Sequence, residues 1–357
     1  MRDFLANSVL SSDMEEIFAR DLDWSEFDGK SVLVTGAYGM LASYMVYFLI
    51  FIRERKKINV EIYAQGRNGA KARAKFGDYL DKSYVHFIDE DILSENGGEI
   101  PDVDYIVHAA GISNPRLYST NPVEVIEPNV IGTHRLLKSS VGKKLKSFLL
   151  FSTGDIYGKI ESTQNITEDD FGAMDPLDGH SCYGESKRLA ETICAAFFRE
   201  YGVKTVIARI CHTYGPTMDV ENDPRTFASF MKSALDGEDI VLHSDGSAKR
   251  PFCYITDAVA GYFLLLLKGK GGEAYNVTNS KEFLSIKEIA EIISEIPNPH
   301  IAVKCKQREA GDTYQVNTLN LENKPTDLKL SLLGWSHNVG AQEGFLRVYK
   351  YFISERG

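Results

Sequence analysis

The stretch Ser31-Val32-Leu33-Val34-Thr35-Gly36-Ala37-Tyr38-Gly39-Met40-Leu41-Ala42 constrains the fold more than any other part of this chain. A β-branched apolar run feeds a glycine turn, and a second apolar run from Met40 to Ile52 follows. Strand, tight turn and helix in that order open a parallel sheet and offer a dinucleotide site. Gly36 permits the turn, Gly39 lets the backbone approach a pyrophosphate, and Ala42 lets the helix pack on the strand, with Tyr38 and Met40 in the same turn. The helix amino terminus adds free N–H groups and partial positive charge for phosphates. The spacing is GxxGxxA, not GxGxxG. The run from Met40 to Ile52 is too short to span a bilayer and reads as a buried helix.

Further strands are expected at Asn59 to Gln65, Tyr84 to Ile88, Tyr105 to Ala109 and Ser147 to Ser152. Their alternation with helices predicts an α/β fold, a Rossmann-type doubly wound parallel sheet with right-handed crossovers. An acidic residue at the end of the second strand would hold a ribose 2′-hydroxyl, and none is present. Arg67, helped by Lys71 and Arg73, suits a 2′-phosphate, so NADP is favoured over NAD. Asp91 and Ile92 are placed to border an adenine, and Ala109, Ala110 and Gly111 let backbone pass close to the cofactor. Ser113 is assigned to the substrate side. Asn129 is read as a brace for a strand carbonyl or as a plain helix residue.

The strand Ser147 to Ser152 ends in Ser152-Thr153-Gly154-Asp155, hydroxyls and a carboxylate where doubly wound sheets bind ligands. Ser181 to Tyr201 has apolar residues at helical spacing and carries Tyr183 and Lys187 four residues apart. One turn puts both on one face. An ammonium near a phenol favours the phenolate, so the expectation is a Tyr183 with lowered pKa, usable as a base.

After residue 210 the pattern is mixed: a helix at Asp223 to Leu235, short strands at Ile240 to His243 and Ala274 to Val277, and a helix at Ser285 to Glu295 opened by a Ser285–Glu288 capping signature. The expected division is an extension at 1–29, a cofactor-binding domain with the catalytic residues at 30–210, and a smaller mixed α+β substrate domain at 211–357. Met14, Ile17, Phe18 and Leu22 would dock the extension, which carries no evident chemistry. Arg225, Arg250, Lys304 and Arg308 are available for phosphates. A net charge of -10 argues against general nucleic-acid binding. Five scattered cysteines without metal spacing, and a polar amino terminus without a secretory signal, predict a reduced cytoplasmic protein that uses neither metal nor membrane.

GxxGxxA, the strand-end Ser/Thr and YxxxK together resemble the extended short-chain dehydrogenase/reductase superfamily, in particular its nucleotide-sugar epimerases, dehydratases and decarboxylases. Ala208 to Pro216, Lys249 to Asp257 and Gly334-Trp335 extend the likeness, and Ser181-Cys182-Tyr183 with the His212 to Pro216 stretch is most similar to bacterial UDP-glucuronate decarboxylases. The resemblance implies that Tyr183 takes the proton of a sugar 4-hydroxyl while Thr153 holds it. It implies that Lys187 holds the nicotinamide ribose, that a tightly bound NADP or NAD is regenerated each cycle, and that the substrate is a nucleotide-sugar, a UDP-sugar favoured. The 4-keto sugar then decarboxylates, loses water, or takes hydride back on the opposite face. Gly154 stands where dehydratases carry an acid, which weighs against water loss, and Asp155 keeps the decarboxylase carboxylate one methylene short. The first expectation is therefore a decarboxylase, next a 4-epimerase, then a 4,6-dehydratase, with a silent nucleotide sensor as the non-enzymatic rival. Arg250 matches an arginine that relatives use on the diphosphate or carboxylate, and His212 replaces an asparagine that touches the diphosphate. The resemblance also implies a homodimer through a four-helix bundle that includes the YxxxK helix.

Overall fold

A computed structural model describes residues 3–94, 100–160, 165–223, 225–306 and 324–356. From the amino end come α1 (Ser8–Phe18), β1 (Ser31–Thr35), α2 (Met40–Lys56), β2 (Glu61–Gly66), α3 (Gly69–Phe76), β3 (Val85–Asp89) and β4 (Tyr105–His108). Two short helices, α4 (Pro115–Thr120) and α5 (Pro122–Glu127), lead through a π-helical turn at Pro128–Gly132 into α6 (Thr133–Ser140) and β5 (Ser147–Thr153). Next are α7 (Ser181–Tyr201), β6 (Thr205–Ile210), β7 (Thr213–Tyr214), α8 (Thr226–Asp236), β8 (Ile240–Leu242), β9 (Lys249–Pro251) and β10 (Cys253–Tyr254). The chain ends with α9 (Ile255–Lys268), β11 (Glu273–Val277), β12 (Phe283–Ser285), α10 (Ile286–Ser294), β13 (Val303–Cys305), α11 (Leu328–Ser331) and α12 (Ala341–Arg356).

Seven strands form one parallel sheet in the order β11-β6-β5-β4-β1-β2-β3. The order reverses between β1 and β4, and the crevice at that switch point is where an open α/β sheet takes its ligand. Gly36 leaves β1 with φ +63°, and a Cβ there would lie 2.8 Å from the Ala110 Cα, so both conformation and space require glycine. α2 is buried from Ala42 to Ile52, and α9 from Ile255 to Leu266. Both helices are apolar all round because they lie between the sheet and further helices rather than at the surface.

Most strands run within a residue or two of their expected bounds. The helix expected from Asp223 begins at Thr226 instead, because Arg225 is extended and its guanidinium and N–H engage the Asp223 carboxylate. The capping box forms as its sequence predicts, Ser285 Oγ accepting from Glu288 N and Glu288 Oε2 from Ser285 N.

The first helix docks through Met14 and Ile17, both fully buried. Its polar face holds what the apolar pattern did not reveal. Asp13 is fully buried, and its Oδ2 accepts from Tyr44 Oη at 2.5 Å and Tyr254 Oη at 2.7 Å while Oδ1 accepts from Arg347 Nη1 at 3.0 Å. A buried carboxylate needs such partners, and these tie α1 to α2, to the end of β10 and to α12.

Candidate active site

The carboxyl ends of β1, β4 and β5 open into a cavity of about 400 Å³. Gly36, Gly39, Met40 and Ala109 line it together with Thr153, Gly154, Asp155, Tyr183 and Lys187, and with His212, Arg225 and Arg250; Arg225 Nη2 lies 3.9 Å from Met40 Sδ. Ser113, Tyr118 and Cys211 complete the walls. A second cavity of about 200 Å³ shares Gly36, Gly39, Ala109 and Gly111 with the first, and it is lined by Tyr38, Gln65, Gly66, Arg67, Asp91, Ile92 and Ala110.

Tyr183 and Lys187 leave α7 on the same face, yet they do not meet as the spacing predicts. Lys187 Nζ donates to the Phe151 carbonyl at 2.7 Å and stands 6.0 Å from the centre of the Tyr183 ring. Burial pushes the lysine down to about 8, with the Glu191 carboxylate opposing. Burial also pushes the Tyr183 phenol above its ordinary value, and the Asp155 charge adds to that, while a hydrogen bond with Thr153 and the Arg225 charge act the other way. The expected lowering of Tyr183 by Lys187 is therefore absent from this structure. A long side chain one turn away reaches past the ring to the Phe151 carbonyl within β5.

Thr153 Oγ1 accepts from Asp155 N at 3.2 Å, which turns the chain after β5. Solvent reaches the Asp155 carboxyl through the cleft, but protein surrounds it, and this desolvation pushes its pKa up against the attraction of Arg250. Arg250 Nη1 donates to the Lys249 carbonyl at 2.7 Å, and no carboxylate among the described residues pairs with it. Arg225 lines the same cavity but is clamped by Asp223 at 2.5 to 2.9 Å. Burial, with the charges of Arg250 and Arg225, pushes His212 down to about 3, so it is a neutral imidazole. Lys304 pairs with Asp239 on the β8–β13 pair, outside the cavity, and Arg308 lies outside the described residues.

Asn129 does neither thing expected of it. It sits in the π-helical turn, fully buried, and its Nδ2 donates to Val125 O and Ser186 Oγ, each at 2.9 Å. Its Oδ1 has no partner and lies 2.9 Å from where a Cβ on Gly111 would be, with Lys187 Nζ 3.4 Å from that same point. Two more features escaped the pattern reading. Tyr118 stacks on Tyr183, and Arg209 on β6 pairs with Glu191 at 2.9 Å and donates to Tyr157 Oη at 3.1 Å, bracing the loop after β5. Only Arg209 left a sequence signal, a charge inside the apolar strand Thr205-Val206-Ile207-Ala208-Arg209-Ile210.

The two joined cavities fit a dinucleotide. Gly66 faces the Tyr38 ring so closely that a Cβ would come within 2.4 Å of it, a Cβ on Gly36 or Gly111 would meet atoms at 2.8 and 2.9 Å, and Gln65 Oε1 and Asn129 Oδ1 are buried acceptors without partners. Arg67, exposed, pairs with Asp91 at 3.3 Å, and Arg73 pairs with Asp81. No helix among the described residues is long and apolar enough to cross a membrane, and no His, Cys, Asp and Glu cluster among them forms a metal site.

The chain is similar to known proteins along most of its length. The chain is 33% identical over 318 residues to UDP-glucuronic acid decarboxylase 3 of Arabidopsis thaliana, covering 88% of this chain and 86% of the relative. A crystal structure of UDP-glucuronic acid 4-epimerase from Bacillus cereus in complex with NAD is 25% identical, with a TM-score of 0.73 over 90% of this chain and 96% of that one. The fold is shared with UDP-glucose 4-epimerase of Thermotoga maritima, at a TM-score of 0.77, 22% identity and coverage of 92% and 100%. Residues 32–278, which carry both the glycine turn and the Tyr183–Lys187 helix, match one family as a whole, and the chain belongs to that NAD dependent epimerase/dehydratase family.

Proposed function

We propose that this protein is an enzyme that modifies a nucleotide-sugar through transient oxidation at C4, and that its reaction is decarboxylation of a UDP-hexuronate. The observation that carries the reading is Arg250, a cation without a carboxylate partner among the described residues, facing the same cavity as Tyr183, Thr153 and Asp155. An open guanidinium there suits a carboxylate or diphosphate. The curated relatives at 33% identity are UDP-glucuronic acid decarboxylases, which supports the same choice.

When bound, the nicotinamide supplies a reversible hydride acceptor and a positive charge. Tyr183, whose phenolate that positive charge would favour against the burial that opposes it, takes the proton of the C4 hydroxyl, and Thr153 holds that hydroxyl in line. Lys187 and Asn129 hold the ribose end, and Gly36, Gly39 and Met40 seat the pyrophosphate at the start of α2. Arg250 orients the C5 carboxylate. Once C4 is a ketone, the bond from C5 to the carboxylate breaks, CO2 leaves, and its electron pair passes into the ketone. Asp155, held toward its protonated form, returns a proton at C5. Gly154 supplies no acid for departing water. A 4-epimerase is the second reading, favoured by the small residue at Gly154 and by the likeness to the Bacillus cereus enzyme.

Arg67 favours NADP, with the Asp91 carboxylate beside it as the opposing charge. A homodimer is supported by the exposed apolar side chains of α5 and α7, Val123, Ile126, Leu189 and Tyr201. The five free cysteines fit a reducing cytoplasm. NMR and mass spectrometry of the product from UDP-glucuronate with NADP or NAD test the reaction. Loss of CO2 supports decarboxylation, and an isomer of unchanged mass establishes the epimerase instead.

A further inference from the structure

We propose that Tyr118 is a positioning residue, the platform that fixes the plane of the Tyr183 ring. The inference rests on the reading of Tyr183 as the base. The two rings stack with centroids 5.1 Å apart and planes 11° from parallel. With Val125 they form a small buried cluster of their own, packed by Ile112, Leu117 and Cys182 and separate from the main cores. The large cores that lock other aromatic rings therefore do not hold Tyr183.

The α7 backbone fixes the Tyr183 Cα but does not set the rotation of the ring about its own axis, a broad and soft torsion. The face of Tyr118 does. Tyr118 is itself pinned: Asn114 caps α4 by accepting from Arg116 N at 3.0 Å, Pro115 opens the helix, and Cys182 Sγ contacts the Tyr118 carbonyl at 3.7 Å. That last contact joins α4 to the residue next to Tyr183. The Tyr118 hydroxyl makes no hydrogen bond among the described residues, so the ring face and not the hydroxyl carries the role. Offset stacking is favourable for two such rings, and a planar partner restricts the other to a parallel arrangement.

Tyr118→Phe keeps the face, whereas Tyr118→Leu keeps apolar bulk and removes the face. Crystal structures of both variants with NAD, and kinetics with UDP-glucuronate, decide the matter. In Tyr118→Leu the Tyr183 ring is expected to turn by more than about 30° or to split between conformers. Its kcat should fall about tenfold or more while KM stays within about threefold, and Tyr118→Phe should remain within about threefold on both. Tyr118→Met replaces the leucine variant should that one melt early. The ring plane is read without any substrate. An unmoved Tyr183 in the leucine variant overturns the proposal, as does a phenylalanine variant as impaired as the leucine one. If Tyr183→Phe retains turnover, the base assignment itself is wrong. If Tyr183→Phe is inactive and Tyr118→Leu is normal, only the platform fails.

Discussion

Lys187 and Tyr183 share a helix face but not a hydrogen bond: the ammonium is spent on the Phe151 carbonyl at 2.7 Å, and the phenol ring stacks on Tyr118. The lysine is a buried cation beside β5, held near neutral pH at the edge of its charged form. Replacing it with methionine removes that buried charge at little cost in volume. Lys187→Met is expected to melt no earlier than the wild type, since burying an ammonium opposes folding. Its turnover should fall about 100-fold or more, within the range for loss of an acid–base group. Differential scanning fluorimetry and steady-state rates check both; a large drop in Tm would mean that Lys187 is structural.

Gly36 is the position where the cofactor turn tolerates least. Its φ of +63° and the 2.8 Å approach to Ala110 mean that Gly36→Ala suffers both backbone strain and a backbone clash. A loss of about 1–3 kcal/mol in stability is expected. NAD affinity by calorimetry should weaken at least about tenfold, since β1 and β4 must part where the pyrophosphate is seated. Unchanged affinity would place the cofactor elsewhere.

How far the sequence led depends on the range of each signal. The glycine turn and the alternating runs are local, so β1, α2 and the sheet were legible, as were Thr153, Asp155, Tyr183 and Lys187 as neighbours. What local patterns could not give is direction. Lys187 points at Phe151 because a strand from another part of the chain passes nearby. Tyr118 meets Tyr183 across a separation of many residues, and Asp13 meets Tyr254 and Arg347 across most of the chain. An acidic residue on an amphipathic helix looks solvent-facing until the tyrosines that cover it are in place.

Arg250→Met should lower kcat/KM for UDP-glucuronate by about 10–100-fold, as expected for losing a charge-assisted hydrogen bond of about 1.5–3 kcal/mol. Cofactor affinity should stay within about twofold, because Arg250 is not among the residues that seat the dinucleotide and unshared sites act independently. Equal losses for UDP-glucuronate and UDP-glucose would point to the diphosphate and not the carboxylate as the group Arg250 holds.

Asp13 makes stability depend on pH. Burial, opposed by Tyr44, Tyr254 and Arg347, raises its pKa from 3.8 to about 6. The folded state therefore holds a proton that the unfolded chain has already released. That contribution is complete below pH 3.8 and is lost as pH rises through about 6. Relative to Asp13→Asn, the wild type should lose about 1 kcal/mol between about pH 5 and about pH 8 in urea melts. Parallel pH profiles for the two proteins would contradict this.

Arg67 and Asp91 compete at the proposed ribose end. Asp91→Asn should tighten NADP several-fold by freeing the guanidinium and leave NAD within about twofold. Fluorescence titration with each cofactor reads the ratio; an unchanged NADP affinity would remove Arg67 from the 2′-phosphate site.

The most direct measurement is turnover of Tyr183→Phe beside the wild type, with UDP-glucuronate and saturating cofactor, products followed by NMR. The account predicts normal cofactor binding and a rate lower by about a thousandfold or more, because the phenol is the group that takes the C4 proton. A variant that still converts the sugar at a rate near that of the wild type would contradict it.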